Sequence, residues 1–149
     1  MIGRKRGIVI MGVIPVIEDP GNDTTVNGGT EIVWHAMPGA SVVRVAGDVD
    51  LSTAARLRTA FEAALEESAW VIVDLRRAES VDSVGLGVLI AVREAARRRG
   101  GDLLLATASP FFVSVLRAAR LDALFTLFDT VPRAITYALK PGLRSPGCR

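Results

Sequence analysis

Six consecutive residues near the middle of the chain, Trp70-Val71-Ile72-Val73-Asp74-Leu75, form an almost unbroken apolar run rich in β-branched side chains. A strand with one wet face alternates apolar and polar residues. A run like this one belongs to a strand covered on both faces, the situation of a central strand in a mostly parallel sheet. Parallel neighbours require crossovers, so helices must flank the run in sequence. Upstream, Ala54, Leu57, Phe61, Ala64 and Leu65 recur at helical spacing while Arg56, Arg58, Glu62 and Glu66 take the other face, and Asp50 or Ser52 stands where a cap belongs. This predicts an amphipathic helix ending near Glu67. Downstream, Arg76 to Val81 reads as a turn and Ser83 to Arg99 as a helix with Leu86, Leu89, Val92 and Ala96 inward. Its last residues, Arg97-Arg98-Arg99-Gly100, place cations at the negative end of the helix dipole before a terminating glycine. The three arginines are thus read as a solvated helix end, with a patch for an acidic partner as the alternative.

The same grammar extends outward. Glu31 to Met37 and Ser41 to Ala46 are short β-rich runs joined by Pro38-Gly39-Ala40, an antiparallel hairpin. Asp102 to Ala106 predicts a further strand, and Ser109-Pro110 starts a helix lined by Phe112, Val115, Leu116 and Ala119. Leu124 to Phe128 is the last strand. Asp129-Thr130-Val131-Pro132 then opens a helix through Leu139 that Pro141-Gly142 stops. The predicted order is ββαβαβαβα. It describes a single α/β domain with a mostly parallel mixed sheet and an antiparallel N-terminal hairpin.

Residues 18–29 read EDPGNDTTVNGG, the composition of a linker, so the domain is expected to span residues 30–140, with an N-terminal tail or linker over 1–29 and a C-terminal tail over 141–149. Arg4-Lys5-Arg6 followed by the apolar run Gly7 to Ile17 imitates a signal peptide, but Glu18 and Asp19 follow in place of a small-residue cleavage site. That run is only about half of the ~20 residues needed to cross a bilayer. Cys148, the sole cysteine, has no intramolecular partner. A cytoplasmic protein without membrane association is expected.

The residues also narrow the chemistry. The formal net charge of +2 arises at the ends, where Arg4, Lys5, Arg6, Arg144 and Arg149 face Glu18, Asp19 and Asp23, while residues 31–140 carry acids and bases in equal number. No direct nucleic-acid binding is expected from that balance. His35 is the sole histidine, in a predicted edge strand, so a metal centre lacks a second imidazole. No phosphate-binding loop occurs, and Gly85-Leu86-Gly87 fails the dinucleotide pattern because Ile90 stands at the third glycine position. No cofactor is therefore expected. Asp74, at the end of a central strand, imitates the phospho-accepting aspartate of a receiver domain. That chemistry also needs a metal-binding acidic pair and a lysine at a strand end, and residues 7–149 contain only Lys140. Ser83 has no histidine or lysine beside it to act as a base, so a nucleophilic enzyme is poorly supported and the chain is read as a non-enzyme. Asp48, Asp50 and Asp82 gather instead at the carboxyl edge of the predicted sheet, where ligands and partners bind.

Two blocks carry a family resemblance: Ala46-Gly47-Asp48-Val49-Asp50-Leu51 and Val81-Asp82-Ser83-Val84-Gly85-Leu86-Gly87-Val88-Leu89. With them, roughly residues 31–140 resemble the STAS family and, within it, the bacterial anti-sigma factor antagonists. The family also includes transporter tails and sensor modules. The resemblance implies a partner switch in which Ser83 is phosphorylated by a serine kinase that is also the anti-sigma factor, and a PP2C-type phosphatase reverses the reaction. The unphosphorylated form would bind the anti-sigma factor and free a sigma factor. Asp82 and Asp50 would flank the phosphoacceptor, and Val84, Gly85, Leu86 and Gly87 would form part of the docking surface. Many relatives have a second Ser or Thr where Val84 stands, which removes an alternative phosphosite here. Ser83 on its own also reads as a plain helix cap, and Leu86 as core. The remaining alternative is a ligand- or nucleotide-sensing STAS module within a signalling complex.

Overall fold

The computed structural model describes residues 30–140. Five strands, β1 (Glu31–Met37), β2 (Ala40–Val49), β3 (Trp70–Val81), β4 (Asp102–Ala106) and β5 (Thr126–Phe128), alternate with four helices, α1 (Ala54–Glu67), α2 (Ser83–Arg98), α3 (Pro110–Ala118) and α4 (Val131–Leu139). The strands lie in chain order across one sheet, β1 antiparallel to β2 and every other neighbour parallel. The predicted order and sheet type are those observed.

The apolar run explains itself once both faces are visible. Val71, Val73 and Leu75 point into the larger core with Phe61, Leu89 and Phe112 from α1, α2 and α3. Ile72 points the other way, to a smaller core with Val42, Leu104 and the α4 residues Ala134 and Ala138. Asp74 is the polar interruption, and it is buried. Its carboxylate accepts hydrogen bonds from Thr107 Oγ1 at 2.6 Å and the Arg76 amide at 3.0 Å, and pairs with Arg44 Nε at 3.6 Å. A buried carboxylate needs such partners. Asp74 therefore ties β2, β3 and the end of β4 together.

Four details depart from the sequence-based expectation. The segment Arg76 to Val81 is not a turn: β3 continues to Val81, and β2 continues with it to Val49 in parallel pairing, with register shifts after Arg44 and Gly47. Arg76, Arg77 and Glu79 are exposed on this extension, so their polarity disguised it. Pairing of β3 with β4 stops earlier, at Asp74 and Ala106, leaving the end of β3 projecting beyond its neighbour. The last strand is shorter than predicted, because Leu124 and Phe125 belong to the preceding turn, from which Phe125 still enters the core. Ala119 is exposed beyond the end of α3, where Arg120 takes a positive φ of 62° and turns the chain.

Two of the three arginines at the end of α2, Arg97 and Arg99, serve the fold. Arg99 Nη1 donates to the Leu65 carbonyl at the end of α1, Arg97 pairs with Asp102 at 3.2 Å, and Gly100 reverses the chain with φ 90°.

Candidate functional site

β2 and β3 end side by side, Val49 opposite Val81, so the two loops that follow meet at one edge of the sheet. After β2, Asp50 opens a 3₁₀ turn, Leu51–Thr53, that leads into α1. The Asp50 carboxylate accepts from the Ser52 amide at 2.9 Å and the Ser52 hydroxyl at 2.7 Å, while Thr53 Oγ1 accepts from the Asp50 amide at 3.1 Å. Of the two candidate caps, Asp50 is the one used.

After β3, Asp82 caps α2. Its Oδ1 accepts from the amides of Val84 and Gly85, both at 2.9 Å, and its Oδ2 accepts from the Leu51 amide at 3.1 Å. Its own amide donates to the Val49 carbonyl at 3.1 Å. One residue thus stitches the two loops together and satisfies amides that the start of a helix otherwise leaves orphaned. Those amides, Gly85 foremost, hold the Asp82 carboxyl below its ordinary value of 3.8, and the partial desolvation that opposes them does not prevail.

Because the folded protein binds this proton less tightly than the unfolded chain, the stability it contributes is present above the ordinary carboxyl value and is lost as pH falls through the depressed one. In thermal unfolding followed by circular dichroism, Asp82→Asn is expected to melt below wild type at pH 7. That gap should narrow as pH drops below 3.8.

Ser83 follows as the first residue of α2. It is exposed, and its hydroxyl makes no hydrogen bond to the described residues. The plain capping role open to it in the sequence has gone to Asp82.

The four residues after Ser83 divide. Val84 is exposed, and a side chain at Gly87 would meet nothing within 4 Å. Gly85 and Leu86 instead face inward, Leu86 into the core beside Leu89 and Val92. A Cβ on Gly85 would lie 2.1 Å from the Val49 carbonyl oxygen. Helical phase thus sends Gly85 and Leu86 inward, Gly85 against the end of β2, and leaves Val84 and Gly87 on the open side of α2. Gly85 permits a close approach, but by β2 and not by a partner.

Sequence reasoning missed Leu51, the most exposed of the large apolar side chains among the described residues at 70%. It stands three residues ahead of buried Ala54, in phase with the inner face of α1, so spacing alone would bury it. It lies instead in the 3₁₀ turn ahead of the helix and projects outward.

Elsewhere, a cavity of about 470 Å³ opens at the carboxyl ends of β4 and β5, lined by Arg76, Thr107, Val113, Leu127, Phe128 and Asp129 among others. His35 is half-buried in β1, and burial, aided by the Arg44 charge, lowers its pKa. Among the described residues no group of three or more His, Cys, Asp or Glu side chains converges as a metal site, and no helix is long and apolar enough to cross a membrane.

Comparison with known proteins shows the family and the fold, and the similar proteins include a sulfate transporter family protein of Wolinella succinogenes as well as anti-sigma factor antagonists. The STAS domain family profile matches residues 31–134. The anti-sigma F factor antagonist of Paenibacillus polymyxa is 23% identical over 100 residues, 66% of this chain and 86% of that protein. The solved anti-sigma factor antagonist of Mycobacterium paratuberculosis is 28% identical, with a TM-score of 0.66 over 73% of this chain and 93% of that one. SpoIIAA of Bacillus in its phosphorylated form is 20% identical, with a TM-score of 0.57 over 70% of this chain and 96% of its own.

Proposed function

Because the chain belongs to the STAS domain family, we propose that it is an anti-sigma factor antagonist whose docking surface is switched by phosphorylation of Ser83. Its partner would be a serine-kinase anti-sigma factor, held by the unphosphorylated form so that a sigma factor is released, and a PP2C-type phosphatase would reset it. The observation that carries this reading is the Ser83 hydroxyl: exposed, at the first residue of α2, with its capping work done by Asp82. The names of the relatives and the phosphorylated form of SpoIIAA support it.

The transfer moves the γ-phosphoryl group of ATP to Ser83 Oγ, the hydroxyl proton passing to a base on the kinase as ADP leaves. The product carries about −1.5 to −2 charges at pH 7. A phosphate at a helix start would ordinarily be drawn to the free amides there. Here Asp82 already occupies those of Val84 and Gly85 and adds its own negative charge. The new dianion is left facing outward, and a partner packing over it must desolvate it.

Incubation with ATP and each serine-kinase anti-sigma factor of the chain's own genome, followed by peptide mass spectrometry and pull-down, tests the reading. A single phosphate on Ser83, absent in Ser83→Ala, with only the unphosphorylated chain captured, is the expected result. Phosphate on another residue, or equal capture of both forms, would count against it.

A further inference from the structure

The geometry points to Leu51 as the apolar anchor of the partner interface, seated in a hydrophobic pocket of the anti-sigma factor that is rimmed by basic side chains. This rests on the reading of Ser83 given above and adds to it a residue and the chemistry of the surface it meets.

A lone exposed leucine needs no explanation. Leu51 differs in how it is held. Its amide is fixed by Asp82 Oδ2 at 3.1 Å, and the turn it begins is closed by Asp50 on one side and by the Thr53 amide donating to the Asp50 carbonyl at 3.0 Å on the other. The backbone is held by these hydrogen bonds while the side chain stands 70% exposed. An anchor ordered in advance loses little freedom on binding, so more of its burial is realised as affinity.

Its surroundings continue the surface. The carboxylate that holds the Leu51 amide also caps the helix that begins at Ser83, which places the leucine and the hydroxyl on one small area. Val84, Gly87 and Ala91 lie on the exposed side of α2 at helical spacing, apolar and small enough to let a partner approach closely. Asp50 and Asp82 border this area with negative charge, and among the described residues of the two loops, Asp50 to Thr53 and Asp82 to Val84, no cation offsets them. An apolar centre with an acidic border calls for an apolar pocket with a basic rim.

Isothermal titration against the serine-kinase anti-sigma factors of the same genome, using wild type, Leu51→Ala, Leu51→Met and Ser83→Asp, decides the matter. Leu51→Ala is expected to bind about ten- to hundredfold more weakly with an unchanged unfolding midpoint, and Leu51→Met to stay within a few-fold of wild type. Leu51→Ala binding as wild type while Ser83→Asp is impaired would overturn the anchor and leave the switch standing. Failure of every such factor to bind the wild-type chain would overturn the switch, and the anchor with it.

Discussion

Gly85→Ala is expected to destabilise the domain by about 3 kcal/mol, the upper part of the range for overpacking a fitted site. The added carbon would lie 2.1 Å from the Val49 carbonyl oxygen and 2.7 Å from its carbon, both backbone atoms that no rotamer change can move. That same carbonyl accepts the Asp82 amide at 3.1 Å, so any retreat of β2 loosens the joint between the two loops. Alanine's better helix propensity returns only about 1 kcal/mol. Gly87→Ala, two residues on, gains the propensity without the collision, since nothing lies within 4 Å of its new carbon. Chemical denaturation of the two variants should therefore move in opposite directions, Gly85→Ala to a markedly lower midpoint and Gly87→Ala to a slightly higher one. Equal shifts would mean that the close approach of α2 to β2 is not as described.

The second large effect concerns binding. Ser83→Asp is expected to weaken the complex with the anti-sigma factor about a hundredfold, equivalent to ~3 kcal/mol, while Ser83→Ala stays close to wild type. Alanine removes a hydroxyl that has no hydrogen-bond partner among the described residues. Aspartate instead adds a charge next to Asp82, whose carboxylate already engages three amides and leaves none of them to compensate the newcomer. The fold should be indifferent to either change, so the unfolding midpoints of both variants should lie within a few degrees of wild type. Competitive binding at matched ionic strength checks the prediction. Loss in Ser83→Ala equal to that in Ser83→Asp would assign the effect to the hydroxyl itself and not to charge.

What the sequence made legible was whatever follows from a local period or a local cap. The run from Trp70 to Leu75 announced a strand buried on both faces, and the phases of α1 and α2 selected Leu57, Phe61, Leu86 and Leu89 for the core, where they lie. The pairing of Ser109 with Pro110 started α3 where predicted. Less legible were features that depend on residues distant in the chain. The extension of β3 is decorated with Arg76, Arg77 and Glu79 and becomes a strand because β2 runs beside it. Whether Ser83 caps or is free depends on Asp82, which could equally have turned to solvent, and its choice is fixed partly by Leu51, 31 residues away. The exposure of Leu51 contradicts its phase for a related reason, since it belongs to a separate turn held by Asp50 and by Asp82 and not to the helix whose inner face it continues in sequence. Spacing located the site; the partition of its residues between scaffold and surface needed the tertiary contacts.

The projection of β3 past β4 also sets how far a charge on Ser83 can be felt. From Asp74, the last residue of β3 opposite β4, to Val81 the neighbouring β2 needs only the five residue steps from Arg44 to Val49, roughly 17 Å at the usual rise per residue. In physiological salt the field of an exposed charge is screened over about 8 Å. An anion at this tip is therefore only weakly coupled to the Asp74–Arg44 pair, and that buried carboxylate keeps the same ionic environment in either state.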